Sequence, residues 1–483
     1  MKRSHPILRA GALVLATSTT VLGQSPASIP PASAGIVNDW LREQNAAFSA
    51  WNLGGQFRPR FEHKEHMAIA GVPGAMDFRQ DGSPSGNTYW LFRTKAHVGY
   101  APCDWLGAFA EGRDSFSLND RRVPDLESDR IDLLQAYLTL GNPKEFPLSL
   151  KAGRQELSYG DERLVGAFDW NNLGRVFDAA KVRYESSVLW VDAFVGRQVL
   201  PKDGQFNGAN DYDFFSGIYA SSQSLVPGQE TQVYFLARNA SVQAASAEPG
   251  VLVPLPTARD IYTAGARVKS LPGSLNGWDY SAEAAGQFGR FKESNAGPNL
   301  DQSAFAVNAG GGYSFKDCPA TPRLGVEYSF SSGDSDPTDD RHETFENLFP
   351  TNHKFYGYMD FFSWQNLHNP HLSLSLKPAK GLSVSLDYHL FWLADTADYF
   401  YQASGMPRRG GASGAGYDRN LGYGSFVGSE IDLVATYTFK PYAVAQAGYG
   451  HFFVGDYVKS SLSGPGFGST DADWVYVQAM IRF

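Results

Sequence analysis

The chain is poor in the features that hold most exported proteins together. Two cysteines in 483 residues, Cys103 and Cys318, do not make a disulfide scaffold. Beyond the amino terminus there is no run of about 18 apolar residues, which excludes helical membrane spans. No repeat of fixed period is visible, which argues against a large soluble propeller or solenoid. There is no G-x-S-x-G elbow, P-loop or H-E-x-x-H, so no enzyme constellation stands out, and a non-enzyme without cofactor or nucleic-acid partner is expected. Charged residues make up 19% with a net charge of -9, and the mean hydropathy is -0.30. Against these shortages stand 14% aromatic residues and 50 glycines. A chain that is polar on average yet rich in both suits a membrane barrel, in which each strand shows one face to lipid and one to water.

The last ten residues, Trp474–Phe483, alternate to the end of the chain. Val475, Val477, Ala479, Ile481 and Phe483 share one face; Tyr476, Gln478, Met480 and Arg482 share the other. This pattern resembles the closing strand of a bacterial outer-membrane barrel. From Leu53 onward, alternating runs of about ten residues are joined by connections that are short and long in turn. Short turns fall near Pro102–Asp104, Asn142–Pro147, Ser186–Ser187, Ser221–Gly228, Leu271–Gly277, Lys316–Thr321, Pro378–Gly381 and Lys440–Pro441. Long loops fall near Glu65–Thr88, Leu118–Arg130, Ser158–Arg175, Pro201–Tyr212, Ser241–Arg259, Arg290–Gln302, Gly333–Pro370, Asp395–Gly428 and Gly455–Asp473. The expected fold is all-β: a transmembrane antiparallel up-and-down β-barrel of about 18 strands over residues 53–483, with both termini on the periplasmic side. Residues 1–34 read as a secretory signal followed by a Pro/Ala/Ser-rich lead-in: Lys2, Arg3 and Arg9 precede the apolar Ala10–Val21. Residues 35–52 read as a loose periplasmic segment, with a short amphipathic helix as the alternative. The two cysteines fall in separate turns far apart around the wall and are expected to be unpaired thiols.

Strand parity then assigns charges to faces. Arg93, Lys95 and His97 oppose Trp90, Phe92 and Val98. Inward faces of the earlier strands supply Arg58, Arg60, Arg93, Lys95, Lys181, Arg183, Arg267 and Lys269. Later strands supply Glu283, Glu327, Asp387, Glu430 and Asp432. Many of these must pair across strands and hydrate a lumen. The functional reading is an electropositive stripe that selects ions by sign. The acidic stretch with Asp334, Asp336, Asp339 and Asp340 matches no EF-hand and reads as a solvated loop, and His63 and His66, three apart on a strand, point to opposite faces, which argues against a metal site.

The segment Ala152–Ala179 carries the most distinctive pattern, Gly153-Arg154-Gln155-x-Leu157. With Tyr388-His389-x-Phe391-Trp392, Gly428-x-Glu430-x-Asp432-Leu433-Val434 and the terminal Arg482-Phe483 following in order, the chain resembles the alginate-export family of outer-membrane barrels. That resemblance implies a monomeric eighteen-stranded barrel passing a polyanionic polysaccharide through an arginine-rich lumen. It places basic lumen residues at Arg154 and Lys354. A further basic residue expected nearby is replaced by Met359-Asp360-Phe361, which leaves the identity of the polyanion open. The expected function is therefore passive, selective passage of an anionic saccharide across the outer membrane. The partners are outer-membrane lipid, the saccharide and the barrel assembly machinery. A general nutrient porin, or a closed-pore enzyme or adhesion scaffold, are the alternatives.

Overall fold

The computed structural model describes residues 35–483 apart from 68–76, 81, 83–85, 123–126, 242, 245–257, 295, 354 and 409–415. The signal assigned to residues 1–34 lies outside the described residues. The strands of the wall are β1 (Trp51–Glu65), β2 (Gly86–Cys103), β3 (Leu106–Leu118), β4 (Asp129–Leu140), β5 (Leu148–Gln155) and β6 (Phe177–Glu185). They continue with β7 (Trp190–Leu200), β8 (Gly208–Ser222), β9 (Gln229–Ala240), β10 (Arg259–Ser270), β11 (Trp278–Phe291) and β12 (Leu300–Ser314). The ring is completed by β13 (Arg323–Ser331), β14 (Leu367–Ala379), β15 (Leu382–Leu393), β16 (Phe426–Lys440), β17 (Ala443–Val454) and β18 (Ala472–Arg482). Each strand pairs antiparallel with its sequence neighbours, and β18 pairs with β1 from Gln56↔Arg482 to Glu65↔Asp473, giving a closed barrel of 18 strands. Closure leaves no unpaired edge in the hydrocarbon layer. The carboxy-terminal residue takes part in it: Gly55 and Phe483 exchange backbone hydrogen bonds of 2.9 and 3.0 Å. Position 55 must be small, because a Cβ there would stand 2.6 Å from the Phe483 ring.

Parity along the strands sets the two faces. On β18, Val477 is 52% exposed on the outside while its neighbour Tyr476 is fully buried inside. Short turns join β2–β3, β4–β5 and each later pair of that phase; the long loops 66–85, 119–128, 156–176, 201–207, 241–258, 292–299, 332–366, 394–425 and 455–471 lie at the other end. The hydrophobic core is not between layers but inside the barrel. Leu157, Leu164 and Val165 of loop 156–176 and Phe349, Tyr356 and Met359 of loop 332–366 pack against inward aromatics of the wall, among them Phe177, Phe215 and Phe452. Both loops are thus folded into the lumen, where burying their apolar side chains offsets the ordering of long irregular segments.

Two local expectations change, and the expected unpaired thiols are found. The amino-terminal segment is ordered: α1 (Ile36–Gln44) and a 3-10 turn (Ala46–Ala50) precede β1. Asn38 holds α1 to the wall, donating to Asn52 Oδ1 at 2.6 Å and accepting from the Leu53 amide at 2.7 Å. The acidic loop is only partly solvated, since Asp334 is buried and its amide donates to Asp398 Oδ2 at 3.0 Å. Cys103 and Cys318 are both free and exposed.

Candidate functional site

Loop 156–176 leaves β5 and returns to β6 only after reaching opposite sides of the lumen. Near its start, Asp161 sits between Arg267 (Nη2, 2.5 Å) and Lys269 (Nζ, 2.8 Å) of β10. Near its end, Asp169 sits between Arg93 (Nη2, 2.9 Å) and Lys95 (Nζ, 3.1 Å) of β2. In the closed ring β1 and β10 are diametrically opposed, so the loop is a strap across the lumen. Its backbone is held too. Arg58 donates to the carbonyls of Asp169 (2.7 Å), Trp170 (3.1 Å) and Asn171 (3.2 Å), and Arg93 to those of Asp169 (2.9 Å) and Asn171 (3.2 Å). Arg60 donates to the Trp170 carbonyl at 2.8 Å, and its guanidinium lies 4.0 Å over the Trp170 ring. A segment without ladder partners has buried carbonyls to satisfy, and an arginine fork meets several at once.

The second inward loop, 332–366, locks onto the strap by backbone bonds: Gly166 N to Phe349 O (2.8 Å), Phe349 N to Leu164 O (2.9 Å) and Thr351 N to Glu162 O (2.8 Å). Glu346 sits between Arg238 (2.9 Å) and Arg259 (2.5 Å). On the acidic side of the wall the polarity is reversed: Met359 N donates to Glu430 Oε1 (2.8 Å) and Tyr358 N to Asp432 Oδ2 (3.3 Å). Gly357 makes that approach possible at φ 86°, and a Cβ there would be 2.5 Å from Glu430 Oε1. The basic face of the wall therefore grips peptide carbonyls, and the acidic face grips peptide N–H groups. Burial raises the carboxyl pKa values of Asp161 and Asp169, but the cations outweigh it. Arg267 and Lys269 hold Asp161, and Arg93, Lys95 and Arg58 hold Asp169, well below the usual carboxylate range.

The family model for alginate export matches residues 50–463. The chain belongs to the alginate-export family. Solved outer-membrane barrels share its fold at low identity. Pseudomonas aeruginosa OccK2 (OpdF), in a structure in complex with glucuronate, is 14% identical, with a TM-score of 0.52 over 89% of this chain and 98% of that one. Acinetobacter baumannii OccAB4 is 12% identical, with a TM-score of 0.52 over 89% of this chain and 98% of that one. P. aeruginosa OpdQ is 12% identical, with a TM-score of 0.53 over 90% of this chain and 97% of that one. No curated protein sequence matches the chain. Family and fold are those of outer-membrane β-barrel channels.

In this member of the alginate-export family, Arg58, Arg60, Arg93, Lys95, Arg267 and Lys269 all touch the strap or its neighbours from the inward face. Lys181 and Arg183 also point inward, but both are held by Asp192 of β7, at 3.4 and 2.5 Å, which also accepts from the Tyr159 hydroxyl (3.0 Å). Arg154 is a correction. It pairs in register with Asp178, on the face that carries Leu148, Val182 and Tyr184 to lipid. Its guanidinium bonds Asp178 (2.8 Å) and the Asn207 carbonyl (2.9 Å) of loop 201–207, on the outside of the wall. The motif match located the residue but not its face. Lys354 lies outside the described residues. Inward cations that the sequence reading missed include Lys151, directly across from Lys181, and Arg238. Parity finds both, as Ser149-x-Lys151 and Tyr234-x-Leu236-x-Arg238.

Proposed function

We propose that this outer-membrane channel passes anionic saccharides, with uronates as the favoured class. The reading rests on one observation: Asp161, Asp169 and Glu346, three carboxylates from the inward loops, each sit between two cations of the wall. A wall that repeatedly forms a two-cation seat for a carboxylate is suited to a sugar acid moving past it, since guanidinium and ammonium groups in a confined lumen raise the local anion concentration. That a barrel of the same fold was solved with glucuronate agrees with this chemistry. The test is the reversal potential in planar bilayers under a salt gradient. Wild-type channel is expected to prefer anions. Arg93→Glu/Lys95→Glu, with four units of charge reversed on one face, should shift the potential toward cation preference. Screening over a Debye length of about 8 Å does not erase a field confined to a lumen. An unchanged potential in a folded variant removes these residues from the permeation path.

A further inference from the structure

Not all lumen cations are held in the same way. Lys181 and Arg183 are neutralised by Asp192 of the adjacent strand, and Arg60 by Glu62 of its own strand at 2.7 Å. Those partners are part of the wall and cannot leave without breaking it. Arg93 and Lys95 share Asp169 instead, and Arg267 and Lys269 share Asp161; both carboxylates are carried by the strap. Arg267 has a wall acid, Glu230, only at 3.7 Å. Each of these two seats can be vacated by moving the strap while the barrel stays intact; at the third loop-filled seat, that of Glu346, Arg238 also keeps a wall acid, Asp213, at 2.7 Å. The direction of access fits. Arg93 and Arg267 are at most 2% exposed, whereas the carboxylates they hold are 50% (Asp169) and 23% (Asp161) exposed. A solute in the lumen therefore meets the strap's carboxylate before it meets the guanidinium behind.

We infer that Asp161 and Asp169 make the strap a resident competitor of the permeant, each holding a two-cation seat that a uronate carboxylate takes over during passage. This rests on the reading of the channel as a uronate pathway and adds how that pathway is gated. The exchange replaces one carboxylate with another, so the wall keeps its charge balance and no buried guanidinium is left unpaired at any stage, which is the costly outcome. A neutral sugar offers no such replacement and leaves the strap in place. Selectivity then resides in the displacement of the strap as well as in the sign of the wall. Asp161 and Asp169 become specificity-determining residues although neither belongs to the basic stripe.

The test uses the full-length channel in planar bilayers with sodium glucuronate as probe and glucose as the neutral control. A strap occupying its seats nine-tenths of the time lowers the apparent affinity for a competing ligand about tenfold. Asp161→Asn/Asp169→Asn should therefore bind glucuronate at about a tenfold lower concentration than wild type, with a larger starting conductance and no response to glucose. Should the double variant fold poorly, Asp169→Asn alone serves, because its backbone carbonyl remains bonded to Arg58 and Arg93. Arg154→Gln, outside the lumen, controls for loss of a charge elsewhere. Glucuronate binding in wild type that is unchanged or weaker in the folded variants overturns the competitor. Absence of any glucuronate effect in wild type and variants alike instead removes the uronate pathway, and the competitor with it.

Discussion

Arg93 is the cation on which the strap depends most. Its guanidinium is fully buried and donates to the Asp169 carbonyl (2.9 Å), the Asn171 carbonyl (3.2 Å) and Gln56 Oε1 (2.7 Å), besides pairing with the Asp169 carboxylate (2.9 Å). Arg93→Met keeps most of the volume and removes every one of those bonds. Removing one partner of a buried, hydrogen-bonded ion pair costs about 3–5 kcal/mol, because the other partner stays behind unpaired. Here Lys95 still faces Asp169 at 3.1 Å and Arg58 still holds three carbonyls, so the lower end of that range applies. At about 1.4 kcal/mol per tenfold change, the equilibrium between seated and released strap shifts roughly a hundredfold toward release. The wall ladder is untouched, so the loss falls on the loop and not on the barrel. Hydrogen exchange measured on the detergent-solubilised barrel checks it. The amides of Gly166 and Phe349, bonded across the strap, should exchange about tenfold faster in Arg93→Met, the ceiling for a strap seated nine-tenths of the time in wild type, with the amides of β1 and β2 unchanged. Equal protection of Gly166 in wild type and variant would refute the view that the basic face holds the strap.

Other outcomes follow from the same structure. Burial, and after it the neighbouring Asp398 carboxylate, pushes the Asp334 carboxyl up to about 7. A folded-state pKa above the unfolded one means the contribution is fully present below about pH 4 and is lost as the pH rises through 7, amounting to a few kcal/mol at most. Protease resistance of the junction between loops 332–366 and 394–425 should fall from pH 5 to pH 8 in wild type and stay level in Asp334→Asn; a level wild-type profile contradicts the assignment. With both termini periplasmic, a membrane-impermeant maleimide on intact cells should label Asp336→Cys in an exposed part of loop 332–366 but not the native Cys318 in turn 315–322, and the converse pattern would invert the barrel. Gly55→Val places a side chain against the Phe483 ring and should lower the yield of heat-modifiable barrel as Phe483→Asp does, whereas normal yields of both would detach the carboxy terminus from closure.

Much of the barrel is legible in the residues because a strand buried on one side and bathed in lipid on the other must alternate. The eight turns and nine loops fall where the alternation breaks, and the start of β1 differs by two residues, Trp51 against Leu53. Parity also suffices for Arg93 and Lys95. Parity along β5 also places Arg154 outward and Lys151 inward, opposite to the face that the motif implies for Arg154. The strap was not legible. Asp161 and Asp169 look like solvated loop acids, and their partners lie 106 and 74 residues away in sequence, at a distance no local period reports. The inward fold of loops 156–176 and 332–366 is set by apolar residues such as Leu164 and Phe349, which in isolation resemble any hydrophobic loop residue. Asp334 is hidden for a related reason: its amide bonds to Asp398, from another loop, 64 residues away in sequence.

The proposed passage of sugar acids rests on wall cations that seat carboxylates. Flux into liposomes carrying the purified wild-type barrel measures it most directly, with trigalacturonate and maltotriose as permeants of equal length. Trigalacturonate is expected to enter faster, and to lose that advantage in Arg93→Glu/Lys95→Glu. Equal or faster entry of maltotriose through the wild-type barrel would contradict it.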